Sequence, residues 1–222
     1  MRSSARFVSV GISAHAKGVI NVHDLLSKGD SITTLEVISG VKCCTFGGSS
    51  FQCHHLAYGD YSGTIAICDL ERGNSKEPLF SIQNAHGGII NAIDGIGGNH
   101  VGYGAPELVT GGRDGFVHVW DPRVSHSVFS LEPDKVQAAR DCWTVTFGNS
   151  FNDDERCICV GFDNGDVKLY DLRTGKLKWE TNVGNGITCI EFDRKDIEMN
   201  KMVVTSLESR FRYYDLRTQV SL

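Results

Sequence analysis

The sequence predicts an all-β fold, a β-propeller of short four-stranded blades, and three observations carry that reading. A strand–turn–strand pattern closed by aspartate recurs five times, at Asp24, Asp69, Asp121, Asp171 and Asp215, with spacings of 45, 52, 50 and 44 residues. A repeat of about 40–50 residues with two hairpin strands per unit marks a propeller array. Glycine is abundant, 25 of 222 residues, and proline scarce at 4, which favours many tight turns over proline-rich linkers.

The best-formed copy is residues 107–121. Leu108 to Gly112 reads as one strand, Arg113-Asp114-Gly115 as a turn, and Val117 to Trp120 as a period-2 strand closed by Asp121. Aspartate and glycine tolerate the positive φ that such a hairpin turn requires. Trp-Asp at this distance from the turn is the mark of one propeller blade. Degraded copies lie at 7–25, 56–70, 157–173 and 202–217. Inner strands are expected upstream of the hairpins at Val41 to Phe46, Ile89 to Ile93, Asp141 to Phe147 and Ile187 to Phe192. Outer strands are expected at Pro78 to Ile82, Ser127 to Leu131 and Lys176 to Glu180, so that each unit has four strands. Asp193 to Lys201 reads as a polar loop with at most one helical turn. One blade cannot bury both of its faces, so stacking is obligatory. The chain opens in mid-blade, Phe7 to Val10 reading as a second strand. Residues 1–222 are therefore expected to form a single propeller segment of about four and a half blades, truncated from a longer ring.

Composition bounds the function. With 41% apolar and 22% charged residues the chain is ordinarily globular. Its net charge of −5, with no block of like charges, lacks the footprint of a nucleic-acid or membrane-surface binder. No apolar run is long enough to span a bilayer, and the N-terminus lacks the apolar core of a signal peptide. Four of the eight cysteines, Cys142, Cys157, Cys159 and Cys189, sit in apolar strand-like runs. That favours buried reduced thiols and a cytosolic or nuclear compartment over a disulfide framework. Cys43 and Cys44 are adjacent, so strand alternation sends them to opposite faces.

The residues with chemical potential divide into a buried set and a surface set. His86, Thr110, Asp114 and Trp120 fall where a hydrogen-bonded chain from indole to hydroxyl to imidazole to carboxylate forms in WD-repeat proteins. An Asp–His pair joined to a third group also resembles a catalytic triad. The structural reading is preferred, because the network satisfies polar groups on a buried strand. Other units have Cys68, Tyr170 and Tyr214 in place of Trp120. Gly95 to Gly104 lacks the Gly-Lys-Ser/Thr ending and following helix of a phosphate loop, and reads as an inter-strand loop. Cys53-His54-His55 has no second pair at ligand spacing, so no metal and no cofactor is expected. On the surface, Lys42, Asn91, Trp143 and Thr188 are equivalent positions on the inner strands, and the turn residues Arg113, Asp163 and Leu207 should gather beside them. This is the candidate partner face. Trp143 reads equally well as a binding hot spot and as packing between blades.

Several inter-blade stretches carry a more specific resemblance. Ile90-Asn-Ala-Ile-Asp-Gly-Ile-Gly-Gly98, Gly104 to Thr110, Arg140 to Asn149, Asp163 to Arg173 and Phe192 to Lys201 are similar to the Monad-type WD-repeat proteins, the axonemal dynein assembly factors. The resemblance runs from about residue 7 to residue 219. It implies a seven-bladed, non-enzymatic cytoplasmic adaptor, with the RuvB-like ATPase and prefoldin-like co-chaperone complex and dynein subunits as protein partners, and a role in apoptosis. Two other readings share the fold: a ubiquitin-ligase substrate receptor, which would need a docking helix, and a propeller hydrolase, which would need unpaired carboxylates or histidines at the channel.

Overall fold

A computed structural model describes residues 5–25, 31–50, 52–72, 77–96, 107–133, 139–150, 154–195 and 197–218. Its hairpins form where turn chemistry and alternation coincide. Gly63, Gly115 and Gly165 each take positive φ, at 83°, 80° and 92°, in three successive hairpin turns. Neighbouring side chains cap the same turns. Asp60 accepts the backbone N–H groups of Ser62 and Thr64, Asp114 accepts that of Phe116, and Asn164 accepts that of Asp166.

The described residues hold eighteen strands in five antiparallel sheets. The first sheet is β1 (Ala5–Ile12), β2 (Gly18–Leu25) and β3 (Ser31–Val37). The second is β4 (Val41–Thr45), β5 (His55–Asp60), β6 (Ile65–Asp69) and β7 (Phe80–Ile82). The third is β8 (Ile90–Gly95), β9 (Leu108–Gly112), β10 (Val117–Trp120) and β11 (Ser127–Leu131). The fourth is β12 (Cys142–Gly148), β13 (Cys157–Phe162), β14 (Asp166–Asp171) and β15 (Lys176–Asn182). The fifth is β16 (Ile187–Phe192), β17 (Lys201–Ser206) and β18 (Arg210–Asp215). Eighteen strands are four and a half blades' worth, but they are distributed as three full sheets flanked by two of three strands. The outer strand β3 went unread because its face is largely exposed, leaving Ile32 in water and no clean apolar alternation. Most of the glycine-rich stretch, from residue 97 to 104, lies outside the described residues.

Four apolar clusters fill the four interfaces between consecutive sheets. Ile20 and Val22 meet Leu56, Tyr58 and Ala66; Ile65 and Ile67 meet Ile90 and Trp120; Val117 and Val119 meet Ile158 and Val160; Val167 and Leu169 meet Met202 and Val204. The core is thus serial, each sheet stabilised by its neighbours. Cys43 and Cys44 pack against different clusters, as strand alternation requires. All eight cysteines are free. Burial pushes the Cys43 and Cys157 thiols up to about 12 and Cys68 to about 11, so they stay protonated and inert.

One close approach repeats at the interfaces. A Cβ on Gly59 would stand 2.6 Å from Ile90 Cγ2, on Gly111 2.5 Å from Cys142 Sγ, and on Gly161 2.6 Å from Ile187 Cγ2. Each glycine therefore seats the first inner side chain of the following sheet. The same register position in the fifth sheet, opposite Cys189, is Thr205. That sheet's outward face is also open. Phe211 and Tyr213 are 75% and 55% exposed, whereas their counterparts Ile65, Ile67, Val117, Val119, Val167 and Leu169 are at most 4% exposed.

Candidate protein-binding rim

The four inner strands share a defect at one residue each. In β4–β5, Val41 pairs with Asp60 and Cys43 with Gly59, leaving Lys42 as an extra residue; the same step leaves Asn91, Trp143 and Thr188 unpaired in the next three sheets. A β-bulge bends its strand and re-aims the extra side chain. Here it recurs at the same end of each inner strand. The hairpin turns come to that end too. Tyr61, Arg113, Asp163 and Leu207 donate their backbone N–H to the carbonyls of Gly40, Ile89, Asp141 and Gly186, each just before an inner strand. Turn and bulge are thereby held side by side, and Tyr61 is the fourth turn residue that the sequence did not single out.

Seven expected residues therefore occupy one rim, with different roles. Lys42, Arg113, Thr188 and Leu207 are exposed; Asn91, Trp143 and Asp163 are half-buried. Asn91 Nδ2 donates to the Cys142 carbonyl of the following sheet at 3.1 Å. The Trp143 ring lies over Gly186, where a Cβ would come within 2.5 Å of it. Trp143 is thus both a packing residue and a surface one. Asn91, Trp143 and Thr188 line a cleft of ≈ 290 Å³ along the inner strands. Thr188 and Leu207 line a second with Arg210 and Phe211. Lys42, Arg113 and Asp163 line neither. An apolar patch missed by sequence reasoning lies on the same rim, where Ile12 and Tyr61 close over Gly40 and Ile38 is 93% exposed.

The opposite end of the inner strands is occupied in holding the sheets together. Asp94 accepts the Phe147 N–H at 2.9 Å and the Thr146 hydroxyl at 3.2 Å, and Lys195 reaches it from beyond β16 while also donating to the Gly95 carbonyl. Asn149 accepts the Met199 N–H, and Arg156 pairs with Glu107. Gly47 and Gly95 touch backbone to backbone, with no room for a Cβ on either. Asp94, Phe147 and Lys195 come from three of the five stretches that carry the sequence resemblance. Their pairing across 101 residues had no signal in the sequence.

The buried set forms one chain inside the third sheet. Trp120 Nε1 donates to Thr110 Oγ1 at 2.8 Å, Thr110 Oγ1 lies 2.8 Å from His86 Nε2, and His86 Nδ1 lies 3.0 Å from Asp114 Oδ1. Asp114 also accepts the Gly87 N–H, and these donors hold its carboxyl below the usual carboxylate range against the opposing effect of burial. Thr110 is fully buried, so its hydroxyl meets its two partners and no solvent. His118 packs on His86 at 4.8 Å, and burial, reinforced by His86, pushes it down to about 4. Elsewhere Cys68, at Trp120's position, donates weakly to the Leu56 carbonyl, and Tyr214 stacks edge-on against Trp179. His54 of the Cys-His-His run pairs with Glu71. Among the described residues there is no group of three or more potential metal ligands.

The sheet order, serial core and bulged rim describe a propeller arc. The family described as nucleolar protein 10-like, N-terminal domain, a β-propeller, matches residues 19–221. The chain belongs to this family. This nucleolar protein 10-like propeller is also similar to proteins named dynein axonemal assembly factor 10. It is 50% identical to that of Homo sapiens over 219 residues, covering 97% of this chain and 60% of the relative. Against that of Bos taurus it is 49% identical over 222 residues, covering 99% and 61%. Against that of Chlamydomonas reinhardtii it is 50% identical over 220 residues, covering 97% and 60%. The propeller spans about three-fifths of the length of these relatives.

Proposed function

We propose that this propeller is a non-enzymatic scaffold for assembling axonemal dyneins, and that it binds protein partners through the bulged rim. The carrying observation is the repeated bulge. Four sheets spend a ladder position to turn Lys42, Asn91, Trp143 and Thr188 toward one end, beside Arg113, Asp163 and Leu207. The opposite end is tied up in inter-sheet bonds, which favours the rim as the free face. Half-identity to dynein axonemal assembly factor 10 supports that process as the context. In this reading the chain works in the cytoplasm as a WD-repeat adaptor, its partners are dynein subunits and the RuvB-like and prefoldin-like co-chaperone complex, and it has a role in apoptosis. No helix among the described residues is long and apolar enough to cross a membrane.

Affinity capture from cells building axonemes tests the reading. The wild-type chain is expected to recover dynein or co-chaperone components, and Trp143→Ala with Lys42→Glu to recover fewer. Recovery of neither class by wild type would sink the function. Undiminished recovery by the variant would move the binding face elsewhere.

A further inference from the structure

We propose that the cleft running down from the rim between the third, fourth and fifth sheets receives a lysine or arginine side chain of a protein partner. The inference rests on the rim being the partner face, and adds the chemistry of what enters it. Three columns of side chains, with Cys43 of β4 at one edge, build the cleft. From the bulge inward they run Asn91, Ala92 and Asp94 on β8; Trp143, Thr144 and Thr146 on β12; and Thr188, Cys189 and Glu191 on β16. Bulge to last residue is three steps, about 10 Å at 3.3 Å per residue, deep enough for a long side chain.

The lining is selective. It contains two carboxylates, three hydroxyls, an amide, an indole, two thiols and four aliphatic side chains, and no lysine, arginine or histidine. The two carboxylates differ. Asp94 already has Lys195, Thr146 and the Phe147 N–H. Glu191 is exposed, with only a weak contact from the Cys189 thiol, and no cation among the described residues lies within ion-pair distance of it. Asn91 is fixed with its N–H toward Cys142, which leaves its carbonyl oxygen as an acceptor at the mouth. Trp143, anchored on Gly186, offers the side chain most attractive to a cation. The rim cations Lys42 and Arg210 stand outside the cleft. With Lys195 already committed to Asp94 and the Gly95 carbonyl, an acidic side chain entering here would meet the uncompensated Glu191; a basic one would pass the Trp143 ring and the acceptors at the mouth and gain an ion pair with Glu191.

Calorimetric titration of the 222-residue chain with short glycine–serine peptides carrying a central Arg, Lys, Gln or Glu tests this. The Arg or Lys peptide is expected to bind about tenfold more tightly than the Gln peptide, with the advantage shrinking as salt is raised. Glu191→Gln should abolish the preference. Trp143→Leu should weaken binding, and because that substitution disturbs packing on Gly186, the exposed Glu191→Gln variant carries the test, with an unchanged melting curve as its fold control. Equal binding of all four peptides, binding of none, or a preference untouched by Glu191→Gln overturns the proposal. If the preference is absent while dynein components are still captured, the cleft proposal alone falls. If it is present while capture fails, the scaffold reading falls.

Discussion

Thr110 is the residue on which the buried chain of the third sheet turns, because its single hydroxyl serves both Trp120 and His86. Thr110→Val keeps the shape and leaves an indole N–H and an imidazole nitrogen without partners. It is expected to lower unfolding free energy by about 2–3 kcal/mol in denaturant titrations, and Thr110→Ser to restore most of the loss. His118 gives the neighbouring interface a pH dependence. Its folded-state pKa lies near 4, below its usual 6.5, so between those values the unfolded chain binds more protons. Stability is therefore full above about pH 6.5 and falls as pH drops toward 4; His118→Gln should flatten this limb in melts across that range. The depressed carboxyls of Asp114, Asp121 and Asp166 act below that window, in more acidic solution.

Strands and turns were legible where local chemistry and alternation agree. The inner strands, hairpins and closing aspartates lie where the repeat puts them, because glycine at positive φ and period-2 apolar residues are local signals. β3 was not legible, since an outer strand wetted on most sides carries little apolar pattern. The bulges were half legible: aligning the inner strands made Lys42, Asn91, Trp143 and Thr188 equivalent, but only the pairing register shows them to be the residues left out. The Asp94–Lys195 tie was invisible, because nothing local in either segment names the other. In the fifth hairpin Ser209 sits at φ 58°, where the second, third and fourth have glycine, so Ser209→Gly should raise stability by up to about 1 kcal/mol by chemical denaturation. Lys195→Met should cost about 1–2 kcal/mol by leaving half-buried Asp94 short of its cation. The same variant should speed hydrogen exchange in β16 and β17 more than in β1 and β2, since the tie holds only one end of the arc.

For the whole molecule, the serial core means that no sheet is buried on the strength of its own sequence. The three interior sheets have a neighbour on each side, whereas the fifth presents Val203, Phe211 and Tyr213 outward. Apolar side chains so placed on an open sheet favour self-association. Replacing Phe211 and Tyr213 by serine and threonine should reduce concentration-dependent light scattering of the 222-residue chain while leaving its melting temperature within a few degrees, because these side chains contribute little to the existing core.

Thr205 gives that outward face a geometric meaning. Between the second and fifth sheets a missing side chain allows the close approach: each glycine is a notch that receives a side chain of the next sheet. At Thr205 the notch is filled, and its hydroxyl is tied to Thr188 and the Cys189 carbonyl, so the side chain cannot simply swing aside. A sheet laid against this face would have to stand off or tilt relative to the preceding steps. Thr205 therefore marks the one position in this series where the notch is filled.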